Sequence, residues 1–194
     1  DVSLSNRFLG SSAKALQRWL QQNLLDVSGW GTGAAKSVED LYAEIVQGEC
    51  TIGIENGQVL RHVRAARMRI TRPGSDRYLL EAKQVRNGKE RRRDEIPGEK
   101  MKPNGDPVMA ALRGVKEELS EKLTSEPRSL GVLHETRPVK YSGSYPGLRT
   151  QFVFYEVGVE VDRLPEGSFE STEVEGSKRI VHYWEWRDAL VQLQ

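Results

Sequence analysis

The sequence predicts a mixed helix-and-sheet protein, α/β or α+β, and three observations lead to this class. Two stretches near the start have helical spacing, a β-rich block follows, and one long helical stretch interrupts the strands. The length of 194 residues, with 37% hydrophobic and 29% charged residues, suits one domain with an extension. We therefore expect a helical N-terminal extension at residues 1–48 and a folded domain at residues 49–194.

The extension is predicted to contain two short helices. In residues 11–25, apolar side chains recur every three or four positions. A glycine-rich break follows, and "SVEDLYAEIVQGE" then has Ser37 as its N-cap, Asp40 at the capping-box position and Gly48 as its stop. Isolated helices this short are marginal in water, so we expect the extension to dock on the domain or on a protein partner.

The β-rich block is marked by two Asn-Gly turns, Asn56-Gly57 and Asn87-Gly88, each of which is typical of a hairpin. The stretches with strand character are residues 62–71, 77–85, 128–137, 150–161 and 179–187. The stretch "LPEGSFESTEVEGSK" is predicted to be an acidic loop, and residues 188–194 to form a short closing helix.

The long helix should begin at Asp106-Pro107, an N-cap followed by proline at the first helical position. It is preceded by a loop from residue 98 and is expected to continue to about residue 123. Its apolar face is predicted to contain Val108, Leu112, Val115 and Leu119. The other side would carry a carboxylate sector, with Gly114 in its middle, made by Glu117, Glu118 and Glu121.

A solvated acidic face is one interpretation of this helix, since charged helix faces usually lie in water. A glycine within a helix costs about 1 kcal/mol relative to alanine, so Gly114 requires a reason. The loop before the helix is also rich in Gly, Pro and Lys.

Residues 98–121 resemble the Nudix box, whose pattern is G-x5-E-x7-R-E-U-x-E-E-x-G-U with U aliphatic. Arg113, Val115, Glu117 and Glu118 match it. Gly114 stands at the first helix glutamate, Gly105 at the earlier glutamate, and Glu99 at the leading glycine. The last two departures are Ser120 and Glu121. The surrounding layout, from about residue 50 to the end, resembles a Nudix α/β/α sandwich.

The resemblance implies a Mg²⁺- or Mn²⁺-dependent pyrophosphohydrolase acting on a nucleoside diphosphate linked to another group. Catalysis would then rest on Glu117, Glu118 and Arg113, and the metal on Glu117, Glu118 and Glu121. Magnesium prefers oxygen ligands, which suits glutamates at one-turn spacing. The bare position at Gly114 should weaken metal binding. Glu121 could shift the metal along the helix, or the acidic loop with Glu166, Glu170, Glu173 and Glu175 could reach in, although loop charge is usually solvated.

Other residues suggest ligand contacts outside the box. Basic side chains on two strand regions can bind phosphates of a nucleotide or RNA, and Tyr145 in a flexible loop can stack on a base; the candidates are Arg67, Arg69, Arg91, Arg93 and Tyr145. Protective charge on exposed strands and ordinary turn chemistry explain the same residues. The histidines at positions 62, 134 and 182 lack ligand spacing, so we interpret them as structural.

Several classes of function are disfavoured. The net charge of +1 does not indicate a strongly charged partner such as nucleic acid. The single cysteine, Cys50, excludes an intrachain disulfide and a cysteine metal cluster. No apolar run reaches the ~20 residues of a membrane helix, and neither a serine elbow nor a phosphate loop is present. We expect an intracellular protein, in the cytoplasm or in an organelle after removal of a targeting peptide.

Two functions remain after these observations. In the first, the Nudix-like domain has weakened or lost hydrolysis and binds a nucleotide-type ligand, RNA or a protein partner, alone or within a larger assembly. In the second, it is an active metal-dependent pyrophosphohydrolase with an altered carboxylate set. Glycine at two glutamate positions favours the first.

Overall fold

The computed structural model describes residues 7–86, 88–176 and 178–189. Among them, helices α1 (Ala13–Gln22), α2 (Val38–Val46) and α3 (Pro107–Leu119) occur. The strands are β1 (Thr51–Glu55), β2 (Gln58–Thr71), β3 (Tyr78–Arg86), β4 (Lys89–Glu95), β5 (Gly98–Met101), β6 (Arg128–Thr136), β7 (Val139–Tyr141), β8 (Arg149–Glu160), β9 (Phe169–Glu175) and β10 (Lys178–Arg187). The predicted mixed class of helices and a large sheet is confirmed.

The chain divides into two compact units. The first unit contains Asp1–Ala65, Lys100–Gly105 and Thr136–Phe154, and the second contains Ala66–Glu99, Asp106–Glu135 and Tyr155–Gln194. Long strands β2 and β8 contribute residues to each. The predicted boundary after residue 48 stays a prediction, although the first unit extends beyond it.

The first unit has a core built by both helices of the extension. Ser37 and Asp40 form the predicted capping box of α2. Leu16, Leu20 and Leu41 are fully buried with residues of β1 and β2. The amide of Phe8 also donates to the carbonyl of Ile52 at 3.0 Å. The apolar faces predicted for the extension are therefore buried within this unit.

The first hairpin follows its turn signal. β1 pairs antiparallel with β2, and Asn56 and Gly57 have φ values of 50° and 76°. This left-handed backbone is what an Asn-Gly hairpin turn requires. At the second turn, β3 and β4 also pair antiparallel, but Asn87 itself lies outside the described residues, as do residues 190–194 of the predicted closing helix.

The second unit is organised around a sheet. The strand order is β6, β8, β2, β3, β10, β9, and β4 pairs with β3 on a separate branch. The predicted acidic loop is wrong over Phe169–Glu175, because this segment is strand β9, antiparallel to β10. The predicted loop is also wrong at Gly98–Met101, which forms β5. Trp184 and Trp186 are buried, as the alternation in β10 predicts.

Candidate active site

Helix α3 begins where the sequence predicts. The carboxylate of Asp106 accepts a hydrogen bond from the amide of Met109 at 2.9 Å, and Pro107 is the first helical residue. The α-helix ends at Leu119, four residues before the expected end near residue 123. A 3-10 turn over Ser120–Lys122 continues it.

The buried face of α3 differs from the predicted one. Val115 and Leu119 are buried, but Val108 and Leu112 are only partly so, and the remaining buried positions are Ala110, Ala111 and Gly114. Small residues let a helix lie close to the layer beneath it. The helix therefore buries the face with Ala110, Ala111 and Gly114 more fully than the face with Val108 and Leu112.

Gly114 is not an open gap in a carboxylate sector. A Cβ atom at this position would lie 2.7 Å from Sδ of Met68 and 3.1 Å from Cβ of Glu99. Met68 is fully buried on β2. Close packing therefore gives a physical reason for glycine, despite its cost within a helix.

The three predicted metal-ligating glutamates have different surroundings. Glu117 is exposed. Glu121 accepts hydrogen bonds from the amide of Thr172 on β9, at 3.1 and 3.4 Å from its two oxygens. Glu118 has a buried Oε2 atom with no hydrogen-bond partner among the described residues. Their assignment as metal ligands stays a prediction.

Glu118 lies among other carboxylates. The pKa of Glu118 is raised to about 8, chiefly by burial. The charges of Glu81, Glu173 and Glu99 also raise it, and the charge of His182 lowers it in part. This shift favours the protonated, neutral form of Glu118 in the folded protein. A divalent cation binds the deprotonated form, so a metal at this position would have to displace that proton.

His182 bridges two of these carboxylates. Its Nδ1 atom lies 2.6 Å from Oε1 of Glu81, and its Nε2 atom lies 3.0 Å from Oε2 of Glu173. With a carboxylate oxygen at each ring nitrogen, the imidazolium form can donate at both, so this arrangement favours the charged ring. Burial lowers the pKa of His182, but the hydrogen bonds to Glu173 and Glu81 outweigh this and raise it to about 9.

A β-bulge brings Glu81 to this cluster. Trp184 pairs with Glu81 whereas its neighbour Tyr183 pairs with Lys83, so one residue of β3, Ala82, is extra. Side chains alternate along a strand, and an extra residue places Glu81 and Lys83 on opposite faces of the sheet. Glu81 thereby joins His182, while Lys83 lies on the other face with Tyr183.

Two arginines neutralise the rim of this cluster. Arg93 lies 3.0 Å from Glu81 and 2.8 Å from Glu95. Arg113, the residue that matches the family arginine, lies 2.8 Å from Oε1 of Glu99. The predicted phosphate contact at Arg93 and the catalytic role of Arg113 would therefore compete with existing ion pairs.

The other predicted ligand contacts are scattered. Arg67 and Arg69 are half-buried on one side of β2, as alternation predicts, and Arg69 lies 3.3 Å from Glu156 and over the ring of Tyr78. Arg91 is exposed on β4. Tyr145 is 0% exposed in the first unit, where its hydroxyl donates to Glu44 at 3.0 Å. No ring face of Tyr145 is open to a base, so a stacking role is not supported.

Glu81 and His182 are the site residues that the sequence did not reveal. Glu81 follows two leucines in a strand that is otherwise apolar at its start, and an acid in that position is the signal that could have identified it. His182 was interpreted as structural because it lacks ligand spacing. Its partners, 101 and 9 residues away, come from two other strands.

The donor set fits a bound Mg²⁺ or Mn²⁺ poorly. The raised pKa of Glu118 favours its protonated form, Glu81 and Glu173 are bound by His182, and Met68 fills the space beside Gly114. Within the described residues, no three His, Cys, Asp or Glu side chains are grouped to hold a metal ion.

No protein-family model matches the chain, and a search of curated proteins gives no significant match. None of the helices in the described part of the chain is long and apolar enough to cross a membrane.

Proposed function

We propose that this chain is a Nudix-like α/β/α sandwich in which metal-dependent hydrolysis is weak or lost, and which acts by binding a nucleotide-type ligand. The observation that carries the proposal is the bridge made by His182. Its imidazolium supplies positive charge among Glu81, Glu118 and Glu173, where a hydrolase of this family would use a metal ion.

The packing at Gly114 supports the same proposal. The family glutamate would need space that Met68 and Glu99 take. Glutamate stands at position 99, where the family pattern has glycine, and glycine stands at position 114, where the pattern has glutamate. These two positions are in contact. We infer that the exchange is mutually adapted, since a glycine at 114 makes room for the side chain at 99.

The binding part of the proposal rests on Arg93 and Arg113. Both guanidinium groups lie at the rim of the carboxylate cluster, and both are held by carboxylates in the free protein. A diphosphate can replace a carboxylate as the partner of a guanidinium group, because both present two oxygens that accept charge-assisted hydrogen bonds from its planar fork.

The position of Glu99 favours a second candidate function. Its side chain starts beside the site where the family glutamate would start, 3.1 Å from the Cβ position at residue 114. A carboxylate supplied from β5 could replace the one missing from α3. The chain would then be an active pyrophosphohydrolase that uses Glu99, Glu117 and Glu118, with the metal acting as Lewis acid and source of hydroxide.

The test measures binding and turnover in parallel. Calorimetry with nucleoside diphosphates linked to sugars or to a second nucleoside, in metal-free buffer with chelator, should give binding that Arg113→Gln weakens at least tenfold. The same compounds with Mg²⁺ or Mn²⁺ should give no turnover.

Three outcomes would overturn the proposal. Metal-dependent turnover that is lost in both Glu99→Gln and Glu117→Gln would establish the second candidate. Tighter binding of a single-stranded RNA oligonucleotide than of any nucleotide would replace the ligand class. Binding of none of these compounds would leave a protein partner as the alternative.

A further inference from the structure

A cavity of about 510 Å³ lies in the second unit, on the sheet face opposite the Glu118 cluster. Tyr183 and Lys83 face each other at its centre, directly paired across β10 and β3. His182 precedes Tyr183, and neighbouring residues of a strand point to opposite faces. The volume is that of a small-molecule site, and it is separate from the residues assigned to the proposed function.

The centre of the cavity already holds a cation on an aromatic ring. The ammonium of Lys83 lies 4.5 Å from the centroid of the Tyr183 ring and 2.8 Å from Oε2 of Glu90. A positive charge over a ring is attracted by the ring quadrupole, and Glu90 holds the same ammonium by an ion pair. Phe169 and Trp184 also contribute to the lining, although their rings contact each other and the Trp184 ring stacks on His182.

The lining has more carboxylates than cations. Four acids and two basic residues contribute to it. Both basic groups are used, because Lys83 pairs with Glu90 and Arg92 pairs with Asp94. Glu170 lies directly opposite Tyr183 on β9, and no ion pair of its carboxylate occurs among the described residues. Glu185 is also paired, with Arg187 at 3.0 Å, so Glu170 carries the excess negative charge of the lining and would repel a phosphate.

We propose that this cavity binds a small organic cation, an ammonium or guanidinium compound, between the Tyr183 ring and the Glu170 carboxylate. The ring provides the cation–π contact, and Glu170 provides the counter-charge that Lys83 does not use. The ligand cation would bind the part of the half-buried Tyr183 ring that Lys83 does not cover, while Lys83 keeps its ion pair with Glu90.

The experiment is a titration followed by NMR on ¹⁵N-labelled full chain. Choline, agmatine and arginine methyl ester are the cationic probes. The matched control is 3,3-dimethylbutanol, which has the shape of choline without its charge, and AMP is the phosphate control. We expect at least one cation to bind with a Kd below 10 mM and to shift resonances of β3, β9 and β10. Both control compounds should bind at least tenfold more weakly than this cation.

Variants assign the binding to the ring and the acid. Tyr183→Leu and Glu170→Gln should each weaken the cation at least fivefold, whereas Tyr183→Phe, which keeps the ring, should change it less than twofold. Three results would overturn the proposal: no binding by any of the cations at 20 mM, equal binding of 3,3-dimethylbutanol, or tighter binding of AMP. If Tyr183→Leu does not fold, the proposal is still tested by Glu170→Gln, which changes an exposed side chain, and by the comparison of choline with 3,3-dimethylbutanol.

Discussion

Each unit contains a glutamate with a buried carboxylate oxygen, Glu44 in the first and Glu118 in the second, and their surroundings have opposite effects on the pKa. In the first unit, the Glu44 side chain is 8% exposed and is bound by Lys36 at 2.7 Å, by Arg61, and by the hydroxyl of Tyr145. Burial raises the pKa of Glu44, but the hydrogen bond from Lys36 and the charges of Arg61 and Lys100 outweigh it, and the net shift is downward.

Glu118 in the second unit has the same burial problem without this solution. Its Oε2 atom has no partner among the described residues, three other carboxylates lie near, and its pKa rises to about 8. The comparison teaches that burial alone does not set the state of an acid. Glu44 belongs to a satisfied core network that favours its charged form, whereas the surroundings of Glu118 favour its protonated form.

The same substitution at both sites should give the largest difference. Glu44→Gln leaves Arg61 buried with no charge partner, and removing one member of a buried pair costs about 3–5 kcal/mol. Glu118→Gln replaces a carboxyl that takes up a proton on folding at pH 7 with an amide that does not titrate, so it should leave the protein as stable or more stable. Urea unfolding of the two variants measures both values, and equal destabilisation would break the comparison.

Above about pH 5, the pH dependence of the free energy of unfolding should be set by His182 and Glu118 in the second unit. The pKa of His182 is raised from its ordinary value of 6.5 to about 9, and that of Glu118 from 4.5 to about 8. Both groups hold more protons when folded, so stability falls as pH rises from about 5 to about 9. Glu44, with a lowered pKa, contributes stability above its ordinary value of 4.5 that is lost at lower pH.

Thermal unfolding between pH 4 and 10 checks this shape. We expect a maximum near pH 5 to 6 and a continuous fall of the melting temperature to pH 9. In Glu118→Gln, the fall between pH 5 and 8 should be shallower, because the amide does not titrate. A melting temperature that is constant from pH 6 to 9 would show that neither group holds its extra proton.

A smaller effect is expected at Gly114. Alanine is the better helix former by about 1 kcal/mol, but its Cβ would press on Met68, and overpacking typically costs about 1–3 kcal/mol. Gly114→Ala should therefore destabilise the native chain by up to about 2 kcal/mol. In a Met68→Ala background the cost should shrink, because the Met68 contacts are gone and only the contact with Cβ of Glu99 remains; the double-mutant cycle measures this coupling. Stabilisation in both backgrounds would mean that glycine is not required for packing.

Local sequence signals predicted much of the fold. Ser37, Asp40 and Asp106 cap their helices as the sequence indicates, and Asn56-Gly57 forms its hairpin, because each signal acts within a few residues. Strand β9 was missed because its inward positions include Ser171 and Glu173, whose polar side chains interrupt the apolar alternation. Ser171 is buried because it accepts a hydrogen bond from Trp184 at 2.7 Å.

The candidate site was less predictable because it depends on distant pairings. The acidic helix was recognisable, but its rotation follows from close packing of Gly114 on Met68, which a pattern of large aliphatic residues does not reveal. The bulge at Ala82 decides which face Glu81 takes. Tyr145 was assigned to a ligand because its loop is rich in glycine and serine, whereas its actual partner, Glu44, lies 101 residues earlier.

The most direct test is a calorimetric titration of Mn²⁺ into the native protein and into His182→Asn. If the imidazolium takes the place of a metal, the native chain should not bind Mn²⁺ below about millimolar concentration. The variant should bind it at least tenfold more tightly through Glu81, Glu118 and Glu173, and gain melting temperature with added metal. Tight binding by the native protein that Glu117→Gln abolishes, or equally weak binding by native and variant, would contradict the account.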